Sequence, residues 1–93
     1  MGKQVPGQIQ VSTYPNPFDD QVKFLINSPV SGIGTLEVFS MNGGKIQTIY
    51  TGMIHRGKGQ TITYDVPNAY RINLFYVLRV GDQVVTGKLI NAK

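Results

Sequence analysis

Leu74-Phe75-Tyr76-Val77-Leu78-Arg79-Val80-Gly81-Asp82-Gln83-Val84-Val85-Thr86-Gly87-Lys88-Leu89-Ile90 is the stretch on which the fold turns. Leu74, Tyr76, Leu78 and Val80 fall on one face of an extended chain, and Phe75 and Val77 fall on the other. Arg79 is the only charge between Leu74 and Val80, so that segment predicts a central strand that is covered on both sides. Gly81-Asp82 suits a two-residue type II′ turn, whose first central position needs the positive φ that glycine supplies. Gln83 to Ile90 then returns beside its partner as the last strand.

Outward from this hairpin the same period-two pattern recurs in short runs bounded by turn residues, and no i, i+3, i+4, i+7 stripe lasts ten residues. Gln8 to Thr13 predicts a first strand, which Pro15 and Pro17 end by removing two backbone donors. In Gln21 to Asn27, Val22, Phe24 and Ile26 alternate with Gln21, Lys23 and Asn27. Ser28 to Gly32 predicts a loop, and Thr35 to Ser40 follows with Leu36 and Val38 opposite Glu37 and Phe39. Asn42-Gly43-Gly44 turns the chain into Lys45 to Tyr50. Thr51 to Gly59, with three glycines and the only histidine, predicts a loop or a distorted edge. Thr61 to Val66 is a further strand, stopped by Pro67, and Asn68 to Asn73 connects it to the hairpin.

Seven such strands in 93 residues predict one all-β domain, a seven-stranded antiparallel immunoglobulin-like β-sandwich. Residues 1–7 are assigned to an N-terminal linker or cloning remnant and residues 8–93 to the sandwich. With 41% apolar and 15% charged residues the chain is too hydrophobic for a disordered tail. It has no cysteine, so packing and ladder hydrogen bonds must hold it together without disulfides or thiolate-bound metal. No apolar run reaches the roughly 18 residues that span a bilayer as a helix, and the N-terminus lacks the apolar core of a signal peptide.

The inventory of reactive groups is poor. Acyl or glycosyl transfer needs a nucleophile with a base, a carboxylate pair in a cleft, or a bound metal. His55 stands alone in a glycine-rich polar loop beside Arg56 and Lys58, where a solvated surface role is expected. Asp19 and Asp20 lack the spaced acids of a calcium loop and are assigned to a turn. Gly43-Gly44 and Gly57-Lys58-Gly59 open no helix, so they lack the aligned amides of a phosphate loop. No enzyme activity, cofactor, metal site or small-molecule substrate is expected. The net charge of +4 is scattered over Lys23, Lys45, Arg79 and Lys88 among others, with no basic stripe interleaved with aromatics, so nucleic acid is not expected either. Tyr64 and Tyr76 fall on inward positions, leaving Tyr50 and Tyr70 as candidates for stacking on a sugar ring.

Several segments form an ordered series: Tyr14-Pro15-Asn16-Pro17-Phe18, then Val22-Lys23-Phe24, then Leu36-Glu37-Val38-Phe39 leading to Gly43-Gly44-Lys45-Ile46. Phe75-Tyr76-Val77-Leu78-Arg79-Val80 and Lys88-Leu89-Ile90 complete it. From Val11 to Ile90 the chain resembles the C-terminal sorting domain of type IX secretion cargo in Bacteroidetes. The resemblance implies a non-catalytic signal that directs a larger, N-terminally fused cargo across the outer membrane. Its implied partners are an outer-membrane translocon and a sortase-like peptidase, with the periplasm as transit compartment and the cell surface or medium as destination. A terminal strand can present its edge to a partner by β-augmentation, which points to Val84, Thr86, Lys88, Leu89 and Ile90 as the recognition residues. Tyr14, Pro15, Asn16, Pro17, Phe18, Gly43 and Gly44 are expected to have structural roles. The alternatives are a carbohydrate-binding or adhesive immunoglobulin-like module and a plain spacer. A homodimer is not predicted, although exposed sheet edges permit one.

Overall fold

Alternating side chains sort the strands into two layers in a computed structural model that describes residues 7–92. The strands are β1 (Gln10–Tyr14), β2 (Gln21–Asn27), β3 (Gly32–Ser40), β4 (Lys45–Ile54), β5 (Gln60–Asp65), β6 (Leu74–Val80) and β7 (Gln83–Leu89), with one 3-10 turn at Asn68–Tyr70. One sheet has the order β1-β2-β5 and the other β4-β3-β6-β7, with every pairing antiparallel. The chain crosses between layers after β2, β4 and β5, which makes the arrangement the expected immunoglobulin-like sandwich. The linker assigned to residues 1–7 lies outside the described residues except for Gly7.

The β2, β6 and Asn42–Gly44 expectations hold, whereas several boundaries move. The first strand runs from Gln10 to Tyr14 instead of Gln8 to Thr13, reaching the prolines themselves. β3 starts at Gly32, three residues before Thr35, and Thr51 to Ile54 extends β4 where a loop or distorted edge was expected. The two extensions pair with each other, Gly32 opposite Ile54 and Gly34 opposite Gly52. Glycine lowered the apparent strand character of both segments, yet Gly34 is required, because a Cβ there would stand 2.5 Å from the Ile54 side chain. Register shifts near Leu36–Glu37 and Val38–Phe39 place Ile49 and Ile46 at bulges of β4, and both pack against the core.

At the β3–β4 tip Gly43 has φ 93°, the Gly43 N–H donates to the Ser40 carbonyl at 2.9 Å, and the Ser40 N–H donates to the Gly44 carbonyl at 2.8 Å. Asn42 adds a side-chain bond from the Gly44 N–H and one from the Ser40 hydroxyl. Gly81, at φ 58°, takes the first central place of the β6–β7 turn with no positive φ at Asp82, as a type II′ turn requires.

Phe18, Val22, Phe24, Ile26, Leu36, Val38, Leu74, Tyr76, Leu78 and Leu89 fill the space between the sheets. Phe24 and Tyr76 meet across it edge to face, with ring centres 5.3 Å apart. Each fully buried aliphatic or aromatic side chain contributes about 1.5–3 kcal/mol of transfer free energy, the main term available without covalent staples. The ends of the sandwich are tied by polar contacts. Ser28, the buried polar residue of the core region, bonds its hydroxyl to the Val30 backbone, and the Gly57 N–H donates to the Ser28 carbonyl.

Tyr76 lies over Gly87, its cross-strand partner, so that a Cβ at Gly87 would stand 2.6 Å from the ring. Gly87→Ala is expected to cost about 1–3 kcal/mol through overpacking, read from the shift in urea midpoint. Burial raises the pKa of Tyr64 and Tyr76 above 10.0, with the Tyr70 charge adding to the effect at Tyr64. Raised phenol pKa values mean that the folded state holds its protons longer than the unfolded chain does. This contribution is complete below pH 10.0 and is lost as pH rises from there through the folded-state values. Urea midpoints measured across that window should fall less steeply for the Tyr64→Phe/Tyr76→Phe double variant than for the parent.

Candidate functional site

β7 has a hydrogen-bonded neighbour, β6, on one side only. Its side chains divide by alternation: Gln83, Val85, Gly87 and Leu89 turn to the sandwich interior, while Val84, Thr86 and Lys88 lie on the outer face and are exposed. Of the five expected recognition residues, Val84 is 52% exposed and Leu89 is fully buried, so Leu89 is part of the core that fixes the strand. Ile90 follows the strand and is 38% exposed.

The Tyr14-to-Phe18 segment joins this edge. After Tyr14 the chain leaves the smaller sheet, with both the Tyr14-Pro15 and Asn16-Pro17 peptide bonds cis. The Asn16 carboxamide then sits against β7, its Nδ2 donating to the Lys88 carbonyl at 3.0 Å and its Oδ1 accepting from the Ile90 N–H at 2.8 Å. Two residues on, the Phe18 N–H donates to the Ile90 carbonyl and the Ala92 N–H donates to the Phe18 carbonyl, both at 2.8 Å, in a parallel bridge. A parallel neighbour donates to the residue before its partner and accepts from the residue after it. Asn16 does this across Leu89 with its side chain, and Phe18 does it across Asn91 with its backbone. Neither Pro15 nor Pro17 has an N–H to leave unpaired. Phe18 is fully buried, so the same segment that pairs with the edge also plugs the core.

This arrangement divides the edge of β7. The outward carbonyl of Lys88 and both outward groups of Ile90 are taken, and by the two-residue alternation the groups of Val84 and Thr86 face outward above them. Beside the upper half runs a groove of about 540 Å³ lined by Gly7, Gln8, Ile9, Gln83, Val84 and Val85, where the Ile9 N–H donates to Gln83 Oε1. Asn16 was expected to have a structural role beside Pro15 and Pro17, with no partner for its side chain. Its bond to Lys88 spans 72 positions, beyond the reach of any local pattern, and the one available signal was an amide between two prolines.

The other candidates are placed elsewhere. His55 is exposed and its backbone N–H bonds the Gln60 side chain. Asp19 and Asp20 border a polar hollow of about 320 Å³ with Asn68, Arg71 and Asn91, and the Asp20 carbonyl accepts from the Val66 N–H as a turn residue would. Among the described residues no group of three or more His, Cys, Asp or Glu could hold a metal ion. Tyr50 donates its hydroxyl to the Met53 carbonyl, and its ring covers Gly52, so it is committed to β4. Tyr70 is exposed on the 3-10 turn.

A family model described as the secretion system C-terminal sorting domain matches residues 12–91, from β1 to the segment that Phe18 holds. The chain belongs to the type IX secretion system C-terminal sorting domain family. No curated protein and no solved structure matches it. The family is one of sorting signals, which are not catalytic, and it implies a secreted protein that engages the type IX machinery on its way to the cell surface or the extracellular space. Within this sorting domain the family-marking Tyr14-to-Phe18 segment and the terminal strand form one hydrogen-bonded unit.

Asn16→Ala removes both side-chain bonds to β7 and is expected to cost about 1–3 kcal/mol. Hydrogen exchange at the Ile90 amide should accelerate by a larger factor than exchange in β3, which NMR can measure residue by residue.

Proposed function

We propose that this sorting domain carries a cargo fused on its N-terminal side from the periplasm across the outer membrane, and that the type IX translocon recognises it through the terminal strand. A sortase-like peptidase then separates domain and cargo at the surface. The observation that carries the reading is the partly covered edge of β7, where Asn16 and Phe18 take the C-terminal end and leave the backbone sites at Val84 and Thr86 to a partner strand. A partner strand added there gains main-chain hydrogen bonds, with side chains choosing between partners. Val84, Thr86 and Lys88 supply exposed side chains, Leu89 anchors the strand in the core, and Ile90 presents its side chain beyond the point where Asn16 caps the edge.

Export of a periplasmic reporter fused to this domain in a type IX-competent bacterium tests the proposal. The reporter should reach the surface or medium, and its retention in the periplasm would refute the sorting role. Val84→Pro and Thr86→Pro remove outward donors while leaving the β6–β7 ladder intact, the one setting in which a strand tolerates proline. Both should reduce export while the isolated domains keep their cooperative unfolding. Undiminished export of both variants would refute recognition through the edge.

A further inference from the structure

The outer faces of the two sheets differ. On the small sheet the outward side chains are mostly polar, with Gln10, Ser12, Gln21, Lys23, Thr61, Thr63 and Asp65 among them. On the large sheet the register lays Lys45, Phe39, Phe75 and Lys88 side by side across all four strands. The two phenyl rings are stacked in parallel, 5.2 Å between centres and 11° apart in plane. The next rows place Glu37 beside Val77 and Thr86, then Thr35 beside Arg79 and Val84. At the far end Ile33, 63% exposed, stands opposite Met53.

Charge on this face is one-sided. Glu37 is its only acid in these rows, and the Lys45 ammonium lies 2.9 Å from it, the one ion pair among the described residues. Lys88 and Arg79 are both exposed and flank the apolar Phe75 and Val77 without an acid of their own. An apolar centre with unneutralised cations at its margin matches a protein surface that is apolar in the middle and acidic at its rim. The rings are stacked on one another and half-buried, which suits a rigid protein face better than insertion between lipids. The side chains of Val84, Thr86 and Lys88 belong to this face, so it is continuous with the half-open edge.

We propose that the outer face of the large sheet, centred on Phe39 and Phe75 and bordered by Arg79 and Lys88, is a second docking surface, for an apolar, acid-rimmed protein surface. The proposal rests on the sorting reading for its partner, the machinery that takes the β7 edge, and it adds side-chain specificity to contacts that backbone pairing alone would make with any strand.

The reporter fusion tests it. Arg79→Glu/Lys88→Glu should lower export by about tenfold, because like charges would then face one another across the contact. Phe75→Thr should also lower it, and thermal unfolding of each isolated variant checks that the domain still folds. The charge-reversal pair does not depend on how well the sheet tolerates losing a phenyl ring. Lys23→Glu, on the outer face of the small sheet, should export as the parent does. Normal export of Arg79→Glu/Lys88→Glu alongside failed export of Val84→Pro overturns the second surface while leaving the edge in place. Equal losses for Lys23→Glu and Lys88→Glu overturn it in favour of a net-charge effect. Co-sedimentation of the parent with vesicles of phosphatidylcholine and phosphatidylglycerol, abolished by Lys88→Glu, overturns it in favour of a membrane. Failure of the intact fusion to leave the periplasm refutes the sorting reading itself.

Discussion

Five hydrogen bonds between the Asn16-to-Phe18 segment and the chain from Lys88 to Ala92 bind the two layers at one end of the sandwich. Sheets in a sandwich share side-chain contacts and no ladder, so relative motion between layers is opposed mainly by packing unless backbone crosses from one to the other. Here the crossing backbone belongs to the strand that opens the small sheet, and it lands on the edge strand of the large one. Phe18, held by three of these bonds, is buried in the core formed by both layers. A cysteine-free domain of this size has few other means of fixing its layers against each other.

The same contact governs how the domain manages its edges. Unpaired strand edges invite pairing with other chains, and proteins usually blunt them with charge, proline or a covering segment. The C-terminal end of β7 is covered by Asn16 and the residues just past it by Phe18, with prolines on either side of Asn16. The upper half is left to Val84 and Thr86. Partial coverage leaves a short stretch of edge accessible while withdrawing the rest from indiscriminate pairing, and it limits an added strand to a short register.

Legibility in the sequence followed the range of the interaction. Alternation in Gln21–Asn27 and Leu74–Val80 located both strands to the residue and assigned their buried faces, since burial repeats every second position. Gly81-Asp82 and Asn42-Gly43 located their turns because positive φ selects glycine locally. Gly32 was read as the end of a loop, Ile33-Gly34 was left out of the following strand and Gly52 was read as loop or distorted edge, because a glycine in a strand looks like a breaker until the close approach of Ile54 or Tyr50 is known. β7 was legible as a strand near the end of the series, but Leu89 could not be told from its exposed neighbours without knowing that an interior position continued past Gly87. Asn16 was the least legible, its partners lying 72 and 74 positions away.

Those separations also set the order in which the structure can come together and come apart. A contact that closes nearly the whole chain has a high loop-closure cost and is rewarded only once the intervening strands are in place. Asn16 therefore has nothing to hold until β7 has paired with β6, and a copy interrupted before Lys88 never acquires the covered half of its edge. Unravelling of β7 from its far end has in turn to break the bonds to Phe18 and Asn16 before it reaches the ladder. The carboxamide of one asparagine thus acts as a mark of completeness, present only on a domain whose first and last strands have both found their places.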